Sequence, residues 1–194
     1  MFFPSIEIRW FQRGAIPAQV REWFGRFDFG PVLRQERTDT YLFTHDDGMG
    51  IKLREGQVEI KQRQARLGML TVRPHARGKV ETWYKWSYPL EKNELPGNLT
   101  IPDSNWIDVA KDRLLVQSGL TVPEKSGYQV ELTSVRVRRQ DWWSFGIEAT
   151  GAPAQLFNDF TQLLPSLLGP GCPEFRDDDS FGYAELLNRG DLDD

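Results

Sequence analysis

The feature that most constrains this chain is a period-two alternation of polar and apolar residues that recurs along most of its length. Near its end, for example, Ser144 and Glu148 share one face of a segment whose other face carries Phe145 and Ile147. Such alternation is typical of a β-strand with one apolar and one polar face. The alternating segments predict eight strands, which lie near 4–12, 38–45, 49–55, 57–64, 79–88, 106–117, 127–138 and 142–150.

Short turns between these segments indicate that neighbouring strands are mostly antiparallel. The sequence 46-DDGMG-50 separates the second and third strands, and Glu55 and Gly56 separate the third and fourth. Gly and Asp are favoured in tight reversals because they adopt backbone conformations that other residues avoid. The segment 106–117 also has a helical alternative, with Ser104 as its cap, but we favour a strand there.

Two further segments have the spacing of an amphipathic helix. The first begins near Pro17, whose missing N–H does no harm in a first helical turn. The second begins at Pro153 and stops before 169-GPGCP-173. Both helices need an apolar surface to cover, and the strands provide one. Their apolar residues are Ile16, Val20, Trp23, Phe24 and Phe27 in the first helix and Leu156, Phe157, Phe160, Leu163, Leu164 and Leu167 in the second.

Length and charge suggest one folded domain followed by an acidic end. The chain has 194 residues, enough for one substantial core, and we expect a single domain over residues 1–170. The net charge is −4, and the excess acid is concentrated near the C-terminus, so the rest of the chain is mildly basic. We predict that 171–194 form a solvated acidic tail. The overall charge gives no general attraction for nucleic acid, and no nucleic acid partner is expected.

The single cysteine and the lack of long apolar runs bear on location. Cys172 has no second cysteine in the chain, so neither an internal disulfide nor a disulfide-linked partner is expected. No apolar run approaches the ~20 residues of a membrane-spanning helix, and no membrane partner is expected. The first residues lack the layout of a signal peptide. The cytoplasm is therefore the simplest location.

The charged strand faces allow two arrangements of the sheet. In the first, the apolar faces form the core and the charges meet water. In the second, the sheet closes with its polar faces inward, and the helices cover the apolar faces outside. We favour the second because the charges are biased towards Lys and Arg, with few acids among them. A lipocalin-type barrel is the nearest alternative and would place Ile51, Leu53 and Ile60 inside, around an apolar ligand.

Converging basic side chains favour the binding of an anionic ligand. Like charges in a low-dielectric channel repel by several kcal/mol unless an anion neutralises them. Phosphate suits Arg and Lys because it accepts several charge-assisted hydrogen bonds. Glu59 is expected to neutralise Lys61 or Arg54. The basic residues on the favoured faces are Arg9, Lys52, Arg54, Lys61, Arg63, Lys111 and Arg113.

Several short motifs resemble those of a known superfamily and follow one another along the chain in the same order as in that superfamily. The run 51-IKLREGQVEIKQR-63 resembles the "LRxR, then ExK" strand pair of the CYTH superfamily, the triphosphate tunnel metalloenzymes that include class IV adenylate cyclases and thiamine triphosphatases. The resemblance extends to about Leu168. The other matching stretches are 5-SIEIR-9 for ExExK, 111-KDR-113 for KxR, 130-VELTSV-135 for the acidic strand and 145-FGIEATG-151 for the closing ExE strand.

This resemblance implies a closed eight-stranded tunnel in which basic residues hold a triphosphate and carboxylates hold Mg²⁺ or Mn²⁺. The metal would neutralise phosphate charge and activate water, and Arg and Lys would stabilise the transition state. Carried over by position, the metal ligands would be Glu7, Glu131 and Glu148, with Glu7 and Glu148 essential for catalysis. The phosphate-binding residues would be Arg9, Lys52, Arg54, Lys61, Arg63, Lys111 and Arg113.

The chain departs from the superfamily pattern at its acids. Ser5 and Gly146 stand where the pattern has Glu, Thr133 stands where it has Asp, and Arg9 stands where it has Lys. Two functions therefore remain open. The first is binding of a triphosphate or polyphosphate, with hydrolysis by a metal-dependent triphosphatase mechanism if the remaining acids suffice. The alternative is a non-enzymatic anion-binding or scaffold module derived from that fold.

Overall fold

Eight antiparallel strands close into a barrel in the computed structural model of the chain. The structure describes residues 2–27, 30–72, 75–89, 105–118 and 127–189. The strands are β1 (Phe2–Arg13), β2 (Leu33–Leu42), β3 (Met49–Arg54), β4 (Gln57–Val72), β5 (Ala76–Pro89), β6 (Trp106–Ser118), β7 (Gly127–Val137) and β8 (Gln140–Thr150). Around the ring they follow the order β1-β5-β4-β3-β2-β6-β7-β8, and β8 pairs with β1. The predicted α+β fold with a closed eight-stranded antiparallel barrel, which the CYTH resemblance also implied, is confirmed.

Two strands, β2 and β4, extend by five residues or more beyond one of their predicted ends, and β2 stops at Leu42, before its predicted end at 45. β2 begins at Leu33 because the polar stretch 33–37 pairs with β6 although it is exposed on most of its length. β4 pairs with β5 as far as Val72, and two bulges, after Arg63 and after Arg66, shift its register on the way. A bulge inserts an extra residue and so breaks the period-two pattern. The regular alternation of β4 therefore stops near residue 64, although the strand continues to Val72.

Helices cover the outer face of the barrel, as predicted. They are α1 (Ala18–Phe24) and α2 (Pro153–Leu167). The segment 106–117 is strand β6, so its helical alternative is wrong, and Ser104 lies outside the described residues. Among the described residues, no helix is both long and apolar enough to cross a membrane. The outer apolar cluster under the helices includes Ile6, Ile8, Trp10, Val20, Trp23, Phe145, Ile147, Phe160 and Leu164.

The C-terminal segment, residues 171–189, packs against the barrel, whereas the sequence predicted a solvated acidic tail. It contains a 3-10 turn at Asp177–Asp179 and helix α3 (Tyr183–Asn188). Phe175 is buried and stacks on Trp10 with ring centres 4.9 Å apart. The three aspartates are at least partly exposed, as are Glu174 and Arg176, so the segment is solvated at its charged residues and buried at its apolar ones. The domain division at residue 170 stays a prediction.

A second apolar cluster fills one end of the barrel interior. Phe11 lies on the same face of β1 as Glu7 and Arg9, so it points inward. Its ring stacks on that of Phe181, with ring centres 5.3 Å apart. Helix α3 contributes two buried leucines to the same cluster. The charged part of the interior therefore has an apolar floor. The members of this cluster are Phe11, Tyr41, Ile107, Val109, Val135, Val137, Trp142, Phe181, Leu186 and Leu187.

Candidate functional site: a charged cavity inside the barrel

The barrel interior holds a charged cavity of about 710 Å³, a volume typical of small-molecule sites. Lys52 and Lys61 line this cavity, whereas Ile51 and Ile60 do not. The polar faces therefore point inward, and the lipocalin-type arrangement is wrong. All of the predicted site residues except Arg63 line the cavity, namely Glu7, Arg9, Lys52, Arg54, Lys61, Lys111, Arg113, Glu131 and Glu148.

Arg63 lies beside the cavity and not in its lining. Its Nη1 donates hydrogen bonds to the backbone oxygen of Asp47 and to Glu81, both at 3.1 Å. Arg66 also pairs with Glu81, at 3.3 Å. Burial raises the pKa of Glu81, Arg63 lowers it and neighbouring Glu7 raises it, with a net rise. The predicted phosphate-binding role of Arg63 stays a prediction.

Each of the predicted basic residues has an acidic partner, so the expectation of few acids among them is wrong. Sequence reasoning missed Asp39, which is fully buried on β2 and contacts Lys52 and Lys111. The signal was available, because alternation places Asp39 and Tyr41 on one face of this strand. Glu59 pairs with Arg54 at 2.5 Å, which confirms one of its two expected partners.

One half of the cavity is built around the guanidinium of Arg9. Its Nε donates to Glu7 Oε1 at 2.6 Å, and its Nη1 donates to Glu131 Oε1. All three side chains are at least nine-tenths buried. β1 pairs with β8 and β8 pairs with β7, and this strand register brings Arg9 and Glu131 together although they are far apart in the sequence.

Lys61 and Arg113 complete this half. Lys61 Nζ donates to Glu7 Oε2 and lies 3.3 Å from Glu148 Oε1. Arg113 Nε donates to Glu131 Oε2 at 3.0 Å. Three carboxylates thus face three basic groups, and their charges balance. We call this group the carboxylate half, which consists of Glu7, Glu131, Glu148, Arg9, Lys61 and Arg113.

The electrostatics of the carboxylate half favour fully ionised groups. Burial raises the pKa of Glu7, but Lys61 and Arg9 outweigh burial and lower it to about 2. The pKa of Glu131 is likewise well below its ordinary value, because Arg9 and Arg113 overcome the cost of burial. Burial lowers the pKa of Lys61, but Glu148 and Glu7 raise it above its ordinary value. These ion pairs therefore persist across the neutral pH range.

Gly146 provides the space that Arg9 occupies. The two residues are directly paired between β1 and β8. A Cβ atom at position 146 would lie 2.7 Å from Cζ and Nη2 of Arg9, closer than real Cβ contacts allow. Any larger residue at 146 would therefore have to displace this guanidinium. The guanidinium of Arg9 thus fills the space that a side chain at position 146 would need.

The other half of the cavity has more cations than acids. Asp39 accepts a hydrogen bond from Lys111 at 2.7 Å and also pairs with Lys52 and Arg37. Glu59 pairs with three cations, with N···O distances of 2.5 to 3.5 Å. Five basic side chains therefore share two carboxylates. We call this group the cation-rich half, which consists of Asp39, Glu59, Arg37, Lys52, Arg54, Lys85 and Lys111.

Crowding of cations shows in the acidity of the lysines. Burial and neighbouring Lys52 lower the pKa of Lys111 well below its ordinary value, although Asp39 raises it. Burial also lowers the pKa of Lys52, and Arg54 lowers it further against the opposing effect of Asp39 and Glu59. The two carboxylates thus do not fully compensate for burial and mutual repulsion. A further negative charge at this position would be stabilised.

Tyr183 of α3 joins the C-terminal segment to the cavity wall. Its ring centre lies 3.8 Å from Lys111 Nζ and 5.2 Å from Arg9 Cζ. It also stacks on Tyr41 with ring centres 5.8 Å apart, and the hydroxyl of Tyr41 accepts a hydrogen bond from Lys111 at 2.8 Å. Burial raises the pKa of Tyr183 to about 12. Sequence reasoning missed this residue because it lies in the segment that was expected to be solvated.

The carboxylates predicted to hold Mg²⁺ or Mn²⁺ do not fit that role. Hard divalent cations need several free oxygen ligands. Both oxygens of Glu7 and both of Glu131 already accept hydrogen bonds from Arg or Lys, and Glu148 pairs with Lys61. Within the described part of the chain, no three His, Cys, Asp or Glu side chains form a group that could hold a metal ion. The catalytic roles of Glu7 and Glu148 stay predictions.

Comparisons with known proteins give little beyond the outline of the barrel. No family model matches the chain, and no curated protein sequence matches it. Among solved structures, the chain is similar to the triphosphatase of the Mimivirus capping enzyme, with 8% sequence identity and a TM-score of 0.45. The match covers 84% of this chain and 89% of that one. At this identity and TM-score the likeness carries no inference about function.

Proposed function

We propose that the cavity binds a phosphate-rich anion, a triphosphate or polyphosphate, and that the cation-rich half holds its phosphate groups. The observation that carries this proposal is the ratio of five basic side chains to two carboxylates around Asp39 and Glu59. Buried surplus charge of one sign is costly. An anion placed among these side chains removes that cost, so binding is favoured by the protein's own charge distribution.

The chemistry of the donors suits phosphate better than a single carboxylate. Lysine ammonium groups act as point charges, and an arginine guanidinium presents a planar fork of donors. Lys52 and Lys85 approach Glu59 from one side, and Arg54 approaches its other oxygen. A chain of phosphates carries several negative charges and many acceptor oxygens, so it can satisfy several of these donors together. A mono-anion would neutralise only part of the surplus.

The carboxylate half supports binding more than metal-dependent hydrolysis. Its acids are neutralised by Arg9, Lys61 and Arg113, so they are not free to hold a divalent ion. These ion pairs also fix the shape of the wall next to the cation-rich half. The favoured function is therefore a non-enzymatic anion-binding module, which is one of the two functions that the sequence left open. Hydrolysis becomes an outcome that the experiment can detect.

Isothermal titration calorimetry with tripolyphosphate, in buffer that contains EDTA, tests this proposal. Lys52→Met and Arg54→Met each remove a donor of the cation-rich half and should weaken binding by roughly 10- to 150-fold, as expected for a hydrogen bond to a charged group. The control is Arg136→Met, because the Arg136 side chain is 63% exposed outside the barrel. This variant should bind like the unmodified protein. Equal affinity of all three variants would contradict binding in the cavity.

A phosphate-release assay on the same samples separates binding from hydrolysis. The protein is incubated with tripolyphosphate and Mg²⁺ or Mn²⁺, and the matched variant is Glu7→Gln. We expect no release above the protein-free background. Release that Glu7→Gln abolishes would show that the protein is a hydrolase and would replace the binding module with that function.

A further inference from the structure

The centre of the carboxylate half is occupied by a cation that belongs to the chain. Arg9 donates to Glu7 on one side and to Glu131 on the other, so its guanidinium bridges the two carboxylates. The pKa of Arg9 lies well above its ordinary value, because Glu131 and Glu7 outweigh the effect of burial. A guanidinium in this state does not release its proton. Its positive charge is therefore a permanent part of the site.

The backbone around Arg9 is suited to this side chain. Gly146 lies beside the guanidinium at a distance that excludes any Cβ atom. The hydroxyl of Ser144, the next inward residue of β8, lies 3.4 Å from Arg9 Nη1. On the opposite side, Arg113 binds the second oxygen of Glu131, and Lys61 binds the second oxygen of Glu7. Both oxygens of Glu7 and both of Glu131 are thus held by three basic groups, and Glu148 alone remains next to them, with one oxygen 3.3 Å from Lys61.

We infer that Arg9 is the built-in counter-cation of this site, and that the cavity takes its polyphosphate as the free anion and not as a complex with a divalent metal. The inference rests on the proposed function and specifies the form of its ligand. A metal ion that bridges phosphate oxygens neutralises part of their charge. The cation-rich half gains most from a ligand with its full charge. In the carboxylate half, the oxygens of Glu7 and Glu131 are already held by Arg and Lys, and Glu148 alone is too few ligands for the metal of a complex.

The effect of magnesium on affinity has a predicted sign. Mg²⁺ binds tripolyphosphate in solution and so lowers the concentration of the free anion. For a site that selects the free anion, Mg²⁺ in excess over the ligand should weaken the apparent affinity by about tenfold or more. A tenfold change corresponds to 1.4 kcal/mol, less than the range for one hydrogen bond to a charged group. A site that needs metal would bind tripolyphosphate more tightly when Mg²⁺ is added.

The experiment is a pair of titrations of the full chain with tripolyphosphate, one with EDTA and one with Mg²⁺ in excess. Tighter or unchanged binding with Mg²⁺ would overturn the inference about Arg9 and leave the proposed function intact. Lack of binding under both conditions would overturn the proposed function and the inference together. Calcium in place of Mg²⁺ should weaken binding as well, because the effect arises from chelation of the ligand.

A metal-only measurement tests the role of Arg9 without any phosphate. Mn²⁺ alone should leave the Tm of the unmodified protein unchanged. A rise in Tm that is lost in Glu7→Gln would show a metal site and overturn the inference. The matched variant is the double substitution Arg9→Lys with Gly146→Glu. It removes the bridging guanidinium and adds a carboxylate in the space that the guanidinium occupies. This variant should gain a rise in Tm with Mn²⁺, and its failure to do so while folded would also count against the inference.

Discussion

The Nζ atom of Lys111 on β6 lies 3.8 Å from the ring centre of Tyr183 on α3. This contact makes the C-terminal segment part of the cavity wall, because Lys111 belongs to the cation-rich half and Tyr183 comes from the last helix. The aromatic face stabilises the buried ammonium by a cation–π interaction. The segment therefore contributes both to the fold and to the electrostatics of the candidate site.

Replacement of Tyr183 by Leu should lower the free energy of unfolding by about 1–2 kcal/mol, the range for a desolvated cation–π contact. Chemical denaturation measures this change. The matched control is Tyr88→Leu, because Tyr88 is 50% exposed. The control should stay within about 0.5 kcal/mol of the unmodified protein, as is usual for surface sites. Equal effects of the two substitutions would argue against the contact with Lys111.

Leu186 tests whether the C-terminal segment is part of the core. Its side chain is 0% exposed, so Leu186→Ala should cost about 2–5 kcal/mol of unfolding free energy, the usual range for a buried leucine. Leu67→Ala is the control, since Leu67 is 46% exposed, and it should change stability little. If Leu186→Ala were as mild as the control, the segment would behave as the solvated tail that the sequence predicted.

Stability should fall in acid, and Asp39 should account for part of the loss. Burial raises the pKa of Asp39, but Lys111 and Lys52 outweigh it and lower the pKa from 3.8 to about 2. A carboxyl whose pKa is lower in the folded state stabilises the fold above its unfolded pKa, and the stabilisation is lost as pH falls towards the folded pKa. The loss between pH 3.8 and about 2 should be about 2 kcal/mol. Denaturation of Asp39→Asn over this range should show a smaller slope, and an unchanged slope would contradict the assignment.

Anion binding should be coupled to proton uptake by the buried lysines. The pKa of Lys111 and that of Lys52 are both lowered, by burial and by neighbouring cations. A bound anion favours the charged ammonium and raises both values. Affinity for tripolyphosphate should therefore fall as pH rises through a range below the ordinary lysine pKa of about 10.4. Titrations in buffers with different heats of ionisation measure the uptake, which should diminish in Lys111→Met. Equal uptake with and without Lys111 would show that the protons go elsewhere.

The sequence predicted the barrel well because strand alternation is a local property. Each inward position of β3, for example, follows from the phase of Lys52 and Arg54 alone. Prediction failed where the local pattern was broken. The bulges in β4 and the polar start of β2 removed the alternation without ending the strands.

The charge balance of the site could not be predicted in the same way. Which acid meets which base depends on strand register and on distances across the barrel. Arg9 meets Glu131 through the pairing of β1 with β8 and of β8 with β7, although the two residues are 122 positions apart. Likewise, Asp39 reaches Lys111 across the β2–β6 pairing. Sequence patterns identified six of the basic residues that line the cavity but not Arg37 or Lys85, and the structure was needed to find the acidic partners.

The C-terminal segment was misjudged for a different reason. Over residues 171–194 acidic side chains outnumber basic ones, and acidic ends of chains are commonly solvated. Phe175 and Phe181 occur singly and the leucines of α3 as one adjacent pair, so the apolar residues of this segment form no long periodic pattern. Their burial depends on an apolar surface provided by the barrel, which the sequence alone did not locate.

A crystal structure of the full chain grown with tripolyphosphate and EDTA is the measurement that tests the central claim most directly. The account predicts phosphate density inside the barrel, within hydrogen-bond distance of Lys52, Arg54 and Lys85, with Arg9 still bridging Glu7 and Glu131. Phosphate density confined to the outer surface would contradict it. An empty cavity at ligand concentrations that saturate binding in solution would contradict it equally, because the anion would then be held outside the cation-rich half.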